Sequence, residues 1–379
     1  VSTVPGSGAA RDRTLVARLD SRDNALNALR LLFAVLVIVS HSWPVGGFGE
    51  EPALGNLKLG TFAVGGFFVV SGYLVSQSRE RSRAWSYAWR RLRRIFPGYW
   101  VCLVVTAFGF AVVAGLTDGG WNLRSAVGYL WRNFLMIWDQ GRVGATLAGV
   151  PLDGVWNGSL WTLRYELWCY IAVGLCYSLP VFRRRAWLTL SSFVLCTAAT
   201  LVLHATAPSG RLFNFVFLLT FFLAGAVLYK FADRIPVDGR LAALATAVLI
   251  VVSLTGYGRQ LAPLPLAYAA LWAGISAPSV LKRIGRVNDF SYGTYLYAFP
   301  VQQSLVLLGL HHAGPWIYVP VAVLATAPFA AASWFFVERP ANRVGVPFLD
   351  RTPTTHLLPK RRRTIDVPAE PVTARDVEA

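Results

Sequence analysis

Stretches of about twenty residues with almost no charge recur along the 379-residue chain, and they limit its folds more than any other feature. At ~1.5 Å of rise per residue, about twenty apolar residues in a helix cross the ~30 Å hydrocarbon core of a bilayer. In that core each backbone N–H and C=O must be satisfied inside the protein, so a single apolar run spans as a helix. Hydrophobic residues make up 55% of the chain and charged residues only 15%, against about 25% charged in an ordinary soluble domain. The chain reads as an all-α integral membrane protein.

Ten spans are expected, roughly at Ala25–His41, Gly60–Ser78, Ile95–Gly115, Ser159–Leu179, Ala186–His204, Phe213–Tyr229, Leu241–Tyr257, Leu264–Val280, Phe290–Leu310 and Ile317–Val337. The apolar stretch Ala126–Trp138 is too short to cross and is interrupted by Arg132, so it reads as an interfacial or re-entrant helix. An even number of crossings puts both termini on one side. That side carries 29 of the 36 Lys and Arg residues, so the positive-inside rule makes it cytoplasmic, N-in and C-in, in the inner membrane. The net charge of +17 is then a topology signal, and nucleic acid is not the expected partner.

Residues 1–24 read as a basic cytoplasmic segment without an evident cleavable signal, and 25–343 as the transmembrane domain. Residues 344–379, with a basic run at Lys360–Arg363, read as a disordered cytoplasmic tail next to anionic membrane lipid. The four cysteines lie in apolar runs without a Cys-x-x-Cys pair, and the histidines lack ligand spacing, so no metal site is expected.

Ionisable groups within spans mark function by default. His41 ends the first span, eleven residues and ~16 Å of helix beyond Arg30, which can snorkel to the inner interface. An imidazole there suits proton transfer at neutral pH, or a structural hydrogen bond at the outer interface. Glu166 and Arg164 lie early in the fourth span. A buried carboxylate needs a partner, either an arginine or the imidazole of His41. Seven arginines crowd Arg79–Arg94, which is expected to be a short cytoplasmic loop. Arg91 and Arg94 share a helical face and match phosphate geometry, although charge alone would explain them as topology. Ser71 and Gly72 are expected to permit close helix packing, since no nucleophile elbow surrounds Ser71.

Taken together, the motifs resemble the membrane acyltransferase-3 family. They are Arg30 with His41; Phe67-Phe-Val-Val-Ser-Gly-Tyr73; Arg91-Leu-Arg-Arg94 before Ile95-Phe-Pro97; Trp161-Thr-Leu-Arg-Tyr-Glu166 with Tyr170; Ser291-Tyr-Gly-Thr-Tyr-Leu-Tyr297 with Pro300; and Val337-Glu-Arg-Pro340. Many relatives carry a histidine where this chain has Ala298, so that histidine's role does not carry over; Tyr297, Gln302 or Gln303 would supply polar contacts instead.

The resemblance implies an O-acyltransferase that moves an acyl group, acetyl by default, from cytoplasmic acyl-CoA to a hydroxyl of an envelope or exported carbohydrate or glycolipid. Acyl-CoA would be a co-substrate, with no permanently bound cofactor. Arg91 and Arg94, supported by Arg90 and Arg93, would hold the CoA phosphates. His41 would act as general base or transient acyl carrier, with Arg30 and Glu166 orienting groups or stabilising charge. Some relatives add an extracytoplasmic hydrolase-like domain, so this chain is expected to act alone or with a separate extracytoplasmic partner. The rival reading, a secondary transporter of an envelope precursor, would favour paired repeats with broken helices, and none is visible.

Overall fold

The computed structural model describes residues 14–19, 23–137, 140–207 and 209–345, and they are overwhelmingly helical. The longer helices are α1 (Leu26–Gly46), α2 (Leu59–Glu80), α3 (Ala84–Val105), α4 (Leu123–Asn133), α5 (Trp161–Cys176) and α6 (Ala186–Thr206). They continue with α7 (Arg211–Lys230), α8 (Gly239–Ser253), α9 (Pro263–Ser276), α10 (Ser291–Leu307) and α11 (Pro315–Ala332). Wider π-type turns carry α3 on into Ala111–Asp118 and α11 on into Arg339–Arg343. Between α1 and α2 sits a small antiparallel hairpin, β1 (Ala53–Leu54) and β2 (Leu57–Lys58), with Ala53 opposite Lys58.

Among the described residues, six helical stretches are long and apolar enough to cross a membrane: Leu26–Gly46, Leu59–Glu80, Ala84–Thr117, Ala186–Thr206, Arg211–Lys230 and Pro315–Arg343. The chain is therefore a multi-pass membrane protein. The other four expected spans coincide with α5, α8, α9 and α10, helices of 16, 15, 14 and 17 residues. These fall short of the ~20 residues that one straight crossing needs.

One expectation is corrected. The arginine-rich segment is mostly helix: the turn between α2 and α3 is only Arg81–Arg83, and Arg90, Arg91, Arg93 and Arg94 lie on α3. Arginine is a good helix former, and no glycine or proline interrupts the chain from Ala84 to Phe96. The helix therefore begins well before its apolar run. As expected, α4 is a short helix: Asn122 caps it by accepting the Ser125 N–H at 2.8 Å, Ala126 and Tyr129 face inward, and Trp131 is exposed. The residues after 345, including Lys360–Arg363, and residues 1–13 and 20–22 lie outside the described residues.

Two glycines set the spacing at the centre. A Cβ on Gly72 of α2 would fall 1.9 Å from the Phe222 carbonyl oxygen, and one on Gly225 of α7 would fall 2.0 Å from that of Val69. Only glycine lets the two backbones meet this closely. α1, which carries Arg30 and His41, packs against α2, α10 and α11.

Candidate active site

Arg30 and the α3 arginines come together around a cavity of about 300 Å³, lined by Arg30, Arg90, Arg91, Arg93 and Arg94, with Ser71 and Tyr170 on its wall. Asp289, just before α10, organises two of these cations. Its Oδ2 accepts from Arg30 Nη1 at 3.0 Å and from Arg94 Nη2 at 2.6 Å. Its Oδ1 accepts from the Ser291 hydroxyl at 2.6 Å and from the Ser291 N–H at 3.2 Å. Burial would raise its pKa, but Arg30, Arg94 and Ser291 together hold the carboxyl well below the usual carboxylate range. Arg94 also reaches Glu338 at 3.6 Å, and Glu338 in turn accepts from the Ser333 hydroxyl at 2.8 Å.

Arg91 and Arg93 are placed differently. Arg91 lies over the Tyr170 ring at 5.6 Å, and Arg93 lies over Trp89 at 5.8 Å while donating to the Asn342 carbonyl at 3.3 Å. Neither meets a carboxylate among the described residues, and each has a buried Nε without a hydrogen-bond partner there. Guanidinium forks with unspent N–H groups in a basic cavity suit a phosphate ligand.

Glu166 stands at the edge of this cavity. Its Oε1 accepts from Ser71 at 3.0 Å and from Tyr170 at 2.5 Å. Ser71 thus positions a carboxylate, a use that its packing neighbourhood had hidden. A second, smaller cavity adjoins, lined by Arg30, Phe67, Thr162, Glu166, Tyr292 and Tyr295. Arg30 belongs to both cavities. Arg164 does not pair with Glu166; its Nε donates to the Met136 carbonyl.

His41 is not joined to Glu166. Its Nδ1 lies 3.8 Å from Glu51 Oε1, and its ring meets Phe299 at 5.6 Å between centroids. Glu51 Oε2 accepts from the Ser40 hydroxyl at 2.7 Å, and Ser40 Oγ accepts from the Gly60 N–H at 2.8 Å. Nε2 has no hydrogen-bond partner among the described residues. Around Ala298, Gln302 donates to Ser42 Oγ at 2.8 Å and to the Ile38 carbonyl at 2.9 Å, while Gln303 donates to the Leu152 and Val155 carbonyls at 2.9 Å. Tyr297 stacks on Phe329. These contacts brace the neighbourhood of His41 without touching its ring.

Sequence reasoning overlooked Asp289, Glu51 and the pairing of Glu338. Glu338 lies within a quoted motif, and Asp289 directly precedes an apolar helix, where an acid favours the N-terminus. Glu51 sits in a polar loop with no signal beyond its charge.

A family model described as an acyltransferase domain matches residues 23–337. The chain is 26% identical over 338 residues to the O-acetyl transferase of Shigella phage Sf6, covering 84% of this chain and 96% of that protein. It is 28% identical over 361 residues to Nodulation protein 10 of Rhizobium leguminosarum bv. viciae, covering 85% and 94% respectively. No solved structure matches the chain. The family match covers the helices bearing Arg30, His41, the α3 arginines and Glu166. The chain is an acyltransferase and belongs to the acyltransferase-3 family.

Proposed function

We propose that the protein is an acyl-CoA-dependent O-acyltransferase of the cytoplasmic membrane, moving an acetyl group from cytoplasmic acetyl-CoA to a hydroxyl of an envelope or exported carbohydrate or glycolipid. The observation that carries this reading is the basic cavity in which Arg91 and Arg93 keep unspent donors. The cavity adjoins, through Arg30, a second one bounded by Glu166 and Tyr295. Phe299, one helical turn beyond Tyr295 on α10, touches His41.

The CoA phosphates bind at Arg91 and Arg93, beside the pre-set Arg30 and Arg94. The pantetheine arm passes the gap between Arg30 and Glu166 and brings the thioester toward His41. His41 Nε2 takes the proton of the acceptor hydroxyl as its oxygen attacks the thioester carbonyl. The C–S bond then breaks, and the imidazolium returns the proton to the CoA thiolate. Transfer thus proceeds across the membrane. Residues 25–343 form the catalytic domain, in ten crossings with both termini on the cytoplasmic, arginine-rich side.

The test is mass spectrometry of envelope glycans and glycolipids from a deletion strain and its complemented counterpart. A mass difference of one acetyl group on one carbohydrate fraction is the expected result. No acyl difference in any fraction would overturn the proposal.

A further inference from the structure

We infer that Glu51 is the positioning residue that fixes the tautomer of His41, through a relay running from the backbone of α2. The inference rests on the reading of His41 as the general base. Two of the relay's links have a defined donor. The Gly60 N–H donates to Ser40 Oγ at 2.8 Å, so the Ser40 hydroxyl proton is directed to Glu51 Oε2, at 2.7 Å. That leaves Oε1 facing His41 Nδ1, at 3.8 Å. A carboxylate can only accept, so Nδ1 carries the proton and the lone pair resides on Nε2. At 3.8 Å the two groups are within ion-pair reach but short of a hydrogen bond, and catalytic hydrogen bonds that are long in a free enzyme often tighten in the substrate complex. Phe299 packs against the ring at a steep angle, 5.6 Å between centroids. The pocket around Glu51 is close-fitting: a Cβ on Gly60 would fall 2.9 Å from Glu51 Oε2 and 3.0 Å from Ser40 Oγ.

The relay makes an uncommon prediction. In Glu51→Gln the amide oxygen accepts the Ser40 hydroxyl, and the amide NH₂ is left facing Nδ1. Nδ1 must then accept, the proton moves to Nε2, and the base is lost with little change in shape. Removing the Ser40 hydroxyl in the same protein frees the amide to turn its oxygen toward Nδ1 and restores the productive tautomer.

The experiment follows release of the CoA thiol from acetyl-CoA in inverted membrane vesicles of the producing strain, which carry the native acceptor. Glu51→Gln should lower the maximal rate by roughly 100-fold, the scale of general-base catalysis, with the KM for acetyl-CoA unchanged. Ser40→Ala combined with Glu51→Gln should recover at least about tenfold of that loss relative to Glu51→Gln alone. Wild-type turnover in Glu51→Gln while His41→Ala is inactive would overturn this inference and leave the base reading standing. Failure of Ser40→Ala to recover any rate would likewise overturn the relay. Full turnover in His41→Ala would instead remove the base reading on which both rest.

Discussion

Arg30 on α1 and Arg94 on α3 donate to one and the same oxygen of Asp289, at 3.0 and 2.6 Å. Their guanidinium groups are therefore set in place before any donor arrives. This divides four of the five arginines of the basic cavity into two kinds. Arg30 and Arg94 are held by carboxylates and shape the cavity, while Arg91 and Arg93 line it without a carboxylate partner among the described residues.

Removing the shared carboxylate strands the partly buried Arg30 and leaves Arg94 with Glu338 as its remaining carboxylate. Asp289→Asn should destabilise the protein by about 3 kcal/mol, the lower end for breaking a buried pair, because both arginines retain some solvent contact. Thermal unfolding in detergent checks this, and an unchanged midpoint would contradict it.

The same carboxylate sets a pH dependence. Its folded pKa is depressed, so its stabilisation is complete above the unfolded value of about 3.9. It is lost only as pH falls through the lower folded value. Asp289→Asn should therefore lose most stability relative to wild type at neutral pH, and the gap should narrow on strong acidification. Melting curves of both proteins from neutral to acid pH test this sign.

The two kinds of arginine should separate kinetically. Arg91→Ala with Arg93→Ala should raise the Kd for acetyl-CoA by roughly 10- to 100-fold, as expected when charge-assisted hydrogen bonds worth about 1.5–3 kcal/mol are lost. The fold should be left intact. Arg94→Ala should weaken stability as well, since it leaves Glu338 and Asp289 with one partner fewer. Titration calorimetry and melting on the same preparations distinguish the two outcomes.

Six of the ten expected spans are legible as long apolar helices among the described residues, because a bilayer crossing imposes length; the other four are shorter helices. The motifs name Arg30 and the α3 arginines as candidates, but their meeting around one cavity is read only from the packing of the helices. What the sequence conceals are partners chosen by packing. Asp289 meets Arg30 only because α1 lies against α10. Glu51 meets His41 only because the loop after α1 folds back over that helix's end. Glu166 looked like the natural companion of His41, yet Ser71 and Tyr170 take it. Helix spacing says which residues share a face, and it does not say which neighbouring helix they face.

The contact between α2 and α7 should be intolerant of any side chain. Gly72→Ala would drive a methyl group into the Phe222 carbonyl oxygen, and overpacking of this kind costs roughly 1–3 kcal/mol. Because Ser71 is adjacent, the displaced helix should also loosen Glu166. The expected result is a lower melting temperature together with lower turnover, measured on the same purified protein.

The proposed mechanism takes a donor held at the arginine cavity on one side and uses it at His41 toward the other. Its most direct test supplies acetyl-labelled acetyl-CoA only to the arginine face of sealed inverted vesicles and measures label on the envelope carbohydrate inside. Wild-type vesicles should accumulate label. Vesicles with His41→Ala should accumulate none while binding acetyl-CoA with unchanged affinity. Label appearing at the wild-type rate in His41→Ala vesicles would rule out His41 as the base.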